Sequence, residues 1–160
     1  MIQRELPDFN VRAMTLKDLE AVKKIEDKSF NSPWSLEAFQ HELRENFLAT
    51  YLVFEYTLPE GTAEIIGYGG YWFIKGDAHI TNIAVDPDYR GLGAGEIMTK
   101  TLIEHAKGKG ATRVTLEVRK SNEVAKNLYY KIGFKSLGIR PNYYRDNQED
   151  AVIMYKNLKS

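Results

Sequence analysis

Residues 83–95, IAVDPDYRGLGAG, constrain the fold more than any other stretch of the chain. An apolar run breaks at Pro87, a basic loop carries glycine at 91, 93 and 95, and an apolar-periodic segment starts at Ile97. That order predicts a strand, a loop and the start of a helix. Glycine lets a backbone take positive φ and approach a ligand with no Cβ in the way. A helix that begins after such a loop presents unpaired N–H groups and the positive end of its dipole. Together these favour a phosphate or pyrophosphate, with Arg90 as a cation at the loop mouth. A plain turn is the other reading of a glycine loop taken alone. The spacing is not the G-x-x-x-x-G-K-[ST] of a P-loop. Nor is it a dinucleotide fingerprint, because the glycines alternate as G-x-G-x-G and the strand lies mid-chain.

The rest of the chain narrows what such a loop can serve. At 160 residues it is expected to form one domain, 1–160, long enough to bury roughly 70% of its unfolded surface. Its 22 basic and 22 acidic side chains cancel, so charge points neither to nucleic acid nor to an anionic membrane. Without cysteine there are no disulfides, thiolate metal sites or cysteine acyl-enzyme. His41, His79 and His105 lack metal-ligand spacing and read as structural or exposed. Residues 1–10 lack the apolar segment of a signal peptide, and no apolar run reaches the length of a membrane span. A soluble, cytoplasmic protein with no metal is expected.

In chain order, residues 9–14 alternate as a first strand. Thr15 caps a helix, with Asp18 as a capping-box partner and Leu16, Leu19, Val22, Ile25 and Phe30 as its stripe. The sequence Ser32-Pro33-Trp34-Ser35 breaks it, and Ser35 caps a second helix to about residue 44. Trp34, Phe39 and Phe47 are expected to cluster. Residues 50–56, 64–74 and 78–85 read as strands, the last two as a hairpin. Gly67, Gly69 and Gly70 inside a strand suggest a bulge or a close backbone approach. A third helix spans about 93–107, with Ile97, Leu102, Ile103 and Ala106 as its stripe and Gly108 and Gly110 as its end. Residues 114–118 form a strand, a fourth helix runs from Ser121 or Asn122 to Gly133, and 134–140 and 151–155 are final strands. A mixed sheet with helices on both faces follows.

Few residues carry chemistry. Glu117 lies in a strand whose other face is Val114, Leu116 and Val118. A carboxylate there is either paired, with Arg119 or another cation, or a general base in a wet cleft. Tyr129 shares a helical stripe with Ala125, Leu128 and Ile132, which by spacing is core. Asn122 reads as a helix cap, Trp34 as a core anchor, and residues 142–150 (NYYRDNQED) as a solvated hairpin tip.

A resemblance adds to these readings. Arg90-Gly91-Leu92-Gly93-Ala94-Gly95 resembles the R/Q-x-x-G-x-G/A loop of the GNAT acetyltransferases, and L-E-V-R at 116–119, S-N at 121–122, L-Y at 128–129 and N-Y-Y…E-D-A at 142–151 resemble its protein N-terminal (RimI-like and archaeal) branch. The likeness runs from about residue 10 to the end and is strongest over 82–154. It implies a GNAT-like α/β (α+β) fold: a mixed, mostly antiparallel sheet of six to seven strands with about four helices. It implies acetyl-CoA as co-substrate, with the pyrophosphate on Arg90, Gly91, Leu92, Gly93, Ala94, Gly95 and Glu96. The pantetheine arm would lie along Ile83, Ala84 and Val85 and touch Asn122, with a backbone N–H near Val85 on the carbonyl oxygen. Glu117 would be the proton acceptor and Tyr129 the donor to the departing thiolate. Trp34 and Tyr143 or Tyr144 would border the acceptor. The implied reaction is direct acetyl transfer to a protein N-terminal α-amine, a ribosomal protein being one candidate acceptor. A lysine or small-amine acetyltransferase is the alternative, and a CoA-binding regulatory module is the non-enzymatic one.

Overall fold

A computed structural model describes residues 9–158; residues 1–8, on which most of the signal-peptide expectation falls, lie outside the described residues. The first half contains β1 (Phe9–Ala13), a 3-10 turn (Leu16–Asp18), α1 (Leu19–Ser29), α2 (Leu36–Glu45), β2 (Ala49–Thr57), β3 (Ala63–Ile74) and β4 (Asp77–Val85). A second 3-10 turn (Pro87–Tyr89) leads to α3 (Ala94–Gly108), β5 (Arg113–Arg119), α4 (Glu123–Ile132), β6 (Lys135–Arg140) and β7 (Ala151–Asn157). The strands form one seven-stranded sheet in the order β1-β2-β3-β4-β5-β7-β6. Only β4 and β5 are parallel, because α3 crosses over between them.

Local chemistry sets most boundaries. Ser35 caps α2 by accepting the Ala38 N–H at 3.1 Å, and Asn122 caps α4 by accepting the Ala125 N–H at 3.0 Å. The α1 entry departs from expectation. Asp18 takes the Thr15 N–H at 2.7 Å and two bonds from Arg12, and the first turn is 3-10. The α-helix proper therefore starts at Leu19, which leaves Leu16 off the buried stripe and exposed. Phe30 is extended backbone past the helix end and is also exposed. Phe47 does not join Trp34 and Phe39: it lies between α2 and β2 and is 97% exposed. In α3 the buried face runs through Ala94, Met98, Leu102 and Ala106, which turns Ile97 outward. Gly108 is inside α3, and the chain leaves it through Gly110 at φ +102°.

Strand alternation divides the core in two. Leu52, Phe54, Ile66, Ile80, Leu116 and Val118 pack with α3 and α4. Tyr51, Val53, Tyr68 and Ala84 pack with α1 and α2 on the opposite face. Burying Met98 and Leu102 contributes roughly 1.5–3 kcal/mol each. The strand glycines are what lets α3 approach: a Cβ on Gly67 would stand 2.6 Å from Met98 Sδ, and one on Gly69 2.6 Å from Leu102 Cδ1.

Candidate active site

The sheet parts in its middle. The parallel ladder between β4 and β5 pairs Asp77–Ile80 with Arg113–Leu116 and stops there. Beyond it β4 stays on β3 as far as Val85, while β5 stays on β7 as far as Arg119. One edge of β4 from Thr81 to Val85 thus has no strand beside it among the described residues. At the same level the register skips Thr81, with Ile80 opposite Tyr71 and Asn82 opposite Gly70. A single extra residue exchanges the two faces of a strand. Ala78 and Ile80 accordingly join the α3 cluster, whereas Ala84 joins the α1–α2 cluster and Ile83 and Val85 take the α3 side.

The glycine loop lies at the C-terminal end of this strand. Gly91 and Gly93 have φ of +81° and +79°, and a Cβ on either would meet nothing within 4 Å. Among the described residues no backbone N–H from Gly91 to Glu96 has a protein acceptor. These groups and the α3 dipole present a concentrated positive potential. Arg90 is exposed and in no ion pair among the described residues, whereas Leu92 is half-buried and Ala94 buried. Glu96 lies in the first turn, and Lys131 at 2.7 Å and Lys100 at 2.9 Å hold its carboxyl below the ordinary range. The loop, the N–H groups and the paired Glu96 suit a phosphate-bearing group.

Glu117 projects from β5 on the α1–α2 side, at the split, with 11% of its side chain exposed. Of the cations allowed for it, Arg119 is not its partner. Arg119 bonds Asp146 at 2.8 Å and Glu149 at 3.2 Å and lies 4.0 Å over the Tyr144 ring. Glu117 instead meets His79 Nε2 at 2.8 Å through Oε2, and Arg140 Nε at 3.6 Å through Oε1. Sequence reading set His79 aside as structural or exposed. Its only signal is the parallel register that sets His79 beside Thr115, and no local pattern encodes that.

Residues 142–150 are more than a solvated tip. The Glu149 carboxyl accepts the Ser121 N–H at 2.7 Å, and that bond, with Arg119 and Asn147, holds it down at about 2. Tyr143 and Tyr144 meet edge-on at 5.0 Å. Burial raises both hydroxyls, Tyr144 to about 12, and the nearby Glu117 charge adds to the effect. The Trp34 ring packs 5.2 Å from Phe39 on the same face, and the Trp34 backbone N–H donates to Glu26 at 2.8 Å. Glu26 is itself buried, accepts from the Tyr68 hydroxyl, and is pushed upward chiefly by burial. It lies seven residues after Leu19 on the α1 stripe, a carboxylate at an apolar position. Tyr129 is in the opposite core, 5.6 Å from Phe134. Its hydroxyl has no protein partner among the described residues, and burial pushes it up to about 12.

Comparison with known proteins agrees with this geometry. The profile of the acetyltransferase (GNAT) family matches residues 19–134. The chain is 48% identical over 148 residues to a putative [ribosomal protein bS18]-alanine N-acetyltransferase of Bacillus subtilis, covering 92% of this chain and 95% of that protein. It is 34% identical over 146 residues to the [ribosomal protein bS18]-alanine N-acetyltransferase of Escherichia coli, covering 90% and 94%. The fold superposes on the crystal structure of the ribosomal-protein-S18-alanine N-acetyltransferase from Escherichia coli with a TM-score of 0.82, at 30% identity over 95% of each chain. Ard1 from Thermoplasma volcanium shares the fold with a TM-score of 0.81 at 23% identity, covering 96% of this chain and 99% of that one. A glycine loop opening α3, a sheet split beside it and these relatives lead to one assignment: the chain is an enzyme of the GNAT acetyltransferase family.

Proposed function

We propose that the chain moves the acetyl group of acetyl-CoA directly to the N-terminal α-amine of a protein, with ribosomal protein bS18 the first acceptor to test. The observation that carries this is Glu117, a carboxylate at the split of the sheet with one oxygen engaged and the other in no hydrogen bond among the described residues. The bS18-alanine acetyltransferases to which the chain is similar supply the choice of acceptor.

Acetyl-CoA brings the activated acetyl thioester. The free N–H groups of Gly91–Glu96 and the Arg90 guanidinium suit its pyrophosphate, and Ile83, Ala84, Val85 and Asn122 would line its pantetheine arm. Tyr143 and Tyr144 would wall the acceptor groove on one side and Trp34 on the other. Glu117 takes a proton from the acceptor nitrogen, whose lone pair then attacks the acetyl carbon. The Tyr129 hydroxyl, kept protonated by burial, supplies a proton to the leaving sulfur. An α-amine has a pKa of about 7.7–8.0 against about 10.4 for lysine, so a carboxylate base has less to do with an N-terminus. A ribosomal acceptor places the reaction in the cytoplasm, and among the described residues no helix is long and apolar enough to cross a membrane.

The test uses two peptides, followed by mass spectrometry. One has a free N-terminal alanine and no lysine, and the other has a blocked N-terminus and an internal lysine. Much faster acetylation of the first is expected. Equal rates, or faster transfer to the lysine peptide or to spermidine, would overturn the acceptor assignment.

A further inference from the structure

Glu117 has a neighbour to which this reaction gives no role. His79 Nδ1 lies 2.7 Å from Thr115 Oγ1, and its Nε2 lies 2.8 Å from Glu117 Oε2. The three side chains meet because β4 and β5 are in parallel register, with His79 beside Thr115 and Glu117 two residues further along the same face. The ladder ends one residue later, so His79 stands at the brink of the split. At 2.8 Å Nε2 is within reach of the carboxylate, and in the tautomer that carries the proton on Nε2 the ring turns a donor toward Oε2. In the neutral ring Nδ1 then accepts from the Thr115 hydroxyl, and in the imidazolium the same oxygen accepts instead. Thr115 holds the ring in either state.

We propose that His79 is a positioning residue for the base: its Nε2–H fixes Oε2 and leaves Oε1 for the acceptor nitrogen. This rests on Glu117 being the proton acceptor. Arg140 of β6 and Tyr143 and Tyr144 of the following loop also face Glu117. Trp72 pairs with His79 from β3 and donates to Glu42 of α2 at 2.7 Å. Arg140 at 3.6 Å is too distant for a hydrogen bond, so it does not duplicate the His79 contact.

The experiment is steady-state kinetics across pH on full-length His79→Ala, His79→Gln, Thr115→Val and Glu117→Gln, with acetyl-CoA and the alanine peptide. His79→Ala should lower kcat about 10- to 100-fold, the worth of one contact to a charged group, with KM for acetyl-CoA unchanged. Its acidic limb should move to higher pH, because the ionised carboxylate has lost a favourable partner. His79→Gln offers an amide N–H in place of Nε2–H and should recover most of the rate. Thr115→Val keeps the volume, frees the ring, and should move the limb the same way by less. It carries the test if His79→Ala does not fold. Wild-type kcat and an unmoved limb in His79→Ala, or in Thr115→Val when His79→Ala does not fold, with Glu117→Gln inactive, would overturn the role of His79 and leave the base standing. An active Glu117→Gln would instead overturn the base.

Discussion

At the scale of the residue, Glu117 and Tyr129 belong to opposite faces of one sheet. Tyr129 is in the core beneath α3 and α4, and Glu117 is on the α1–α2 side. An unbroken sheet would hold them apart, and the proposed reaction requires the parting of β4 from β5 to bring both to one substrate. The unpartnered hydroxyl of Tyr129 makes a clean test. Tyr129→Phe removes no protein hydrogen bond and keeps the ring against Phe134. Melting temperature should stay within a few degrees, and turnover should fall by about 10²–10⁴, the usual contribution of a proton donor. Unchanged turnover would reduce Tyr129 to packing. Sequence placed both residues correctly as to face, since alternation in β5 and the stripe of α4 are local patterns. Of the partners it allowed for Glu117, Arg119 or another cation, the structure has the second, because Arg119 is drawn off by Asp146, Glu149 and the Tyr144 ring.

At the scale of the element, the loop before α3 works through backbone rather than side chains. Its N–H groups are free because Gly93 caps the helix at φ +79°, which turns the chain into α3 without a capping side chain. Gly93→Glu would put a carboxylate among those groups and force a left-handed φ on a residue with a Cβ. The strain costs about 1–2 kcal/mol, short of the roughly 5–15 kcal/mol that holds a domain folded. Calorimetry should therefore find acetyl-CoA binding nearly abolished in a protein that still melts cooperatively. Retained affinity would remove the loop from the binding site. The 142–150 loop shows the opposite dependence. Its shape comes from side chains, with Glu149 on the Ser121 N–H, Asp150 on the Asn142 N–H and Arg119 across both Glu149 and Asp146. Those partners are up to 30 positions apart, and without the family resemblance the segment reads as a solvated hairpin tip.

Across the whole molecule, the two cores depend on how closely the helices approach the sheet. Gly69, like Gly67, is a close point under α3, and Gly69→Val would drive its side chain into Leu102. Overpacking of this kind costs about 1–3 kcal/mol, readable as a lower urea midpoint at unchanged slope. An unchanged midpoint would mean that α3 can shift outward at no cost. Sequence by itself determined the helices, the strands and most of their ends, because periodicity, caps and glycine turns act between residues a few positions apart. Ser35, Asn122 and Gly133 do at their helix ends what their chemistry predicts. It also determined that a glycine-rich loop with an arginine opens α3, since three glycines and an arginine lie within six residues. Only the tertiary structure decided where the sheet parts, which face β4 presents after Thr81, and that His79 meets Glu117. The first and last follow from the register between β4 and β5, whose paired residues stand 36 positions apart in the chain, and the second from the extra residue in β4 against β3. Ala78 and Ile80 of β4 and Val114 and Leu116 of β5 share one buried cluster with the α3 residues, an energy spread through the core rather than carried by any local run of residues.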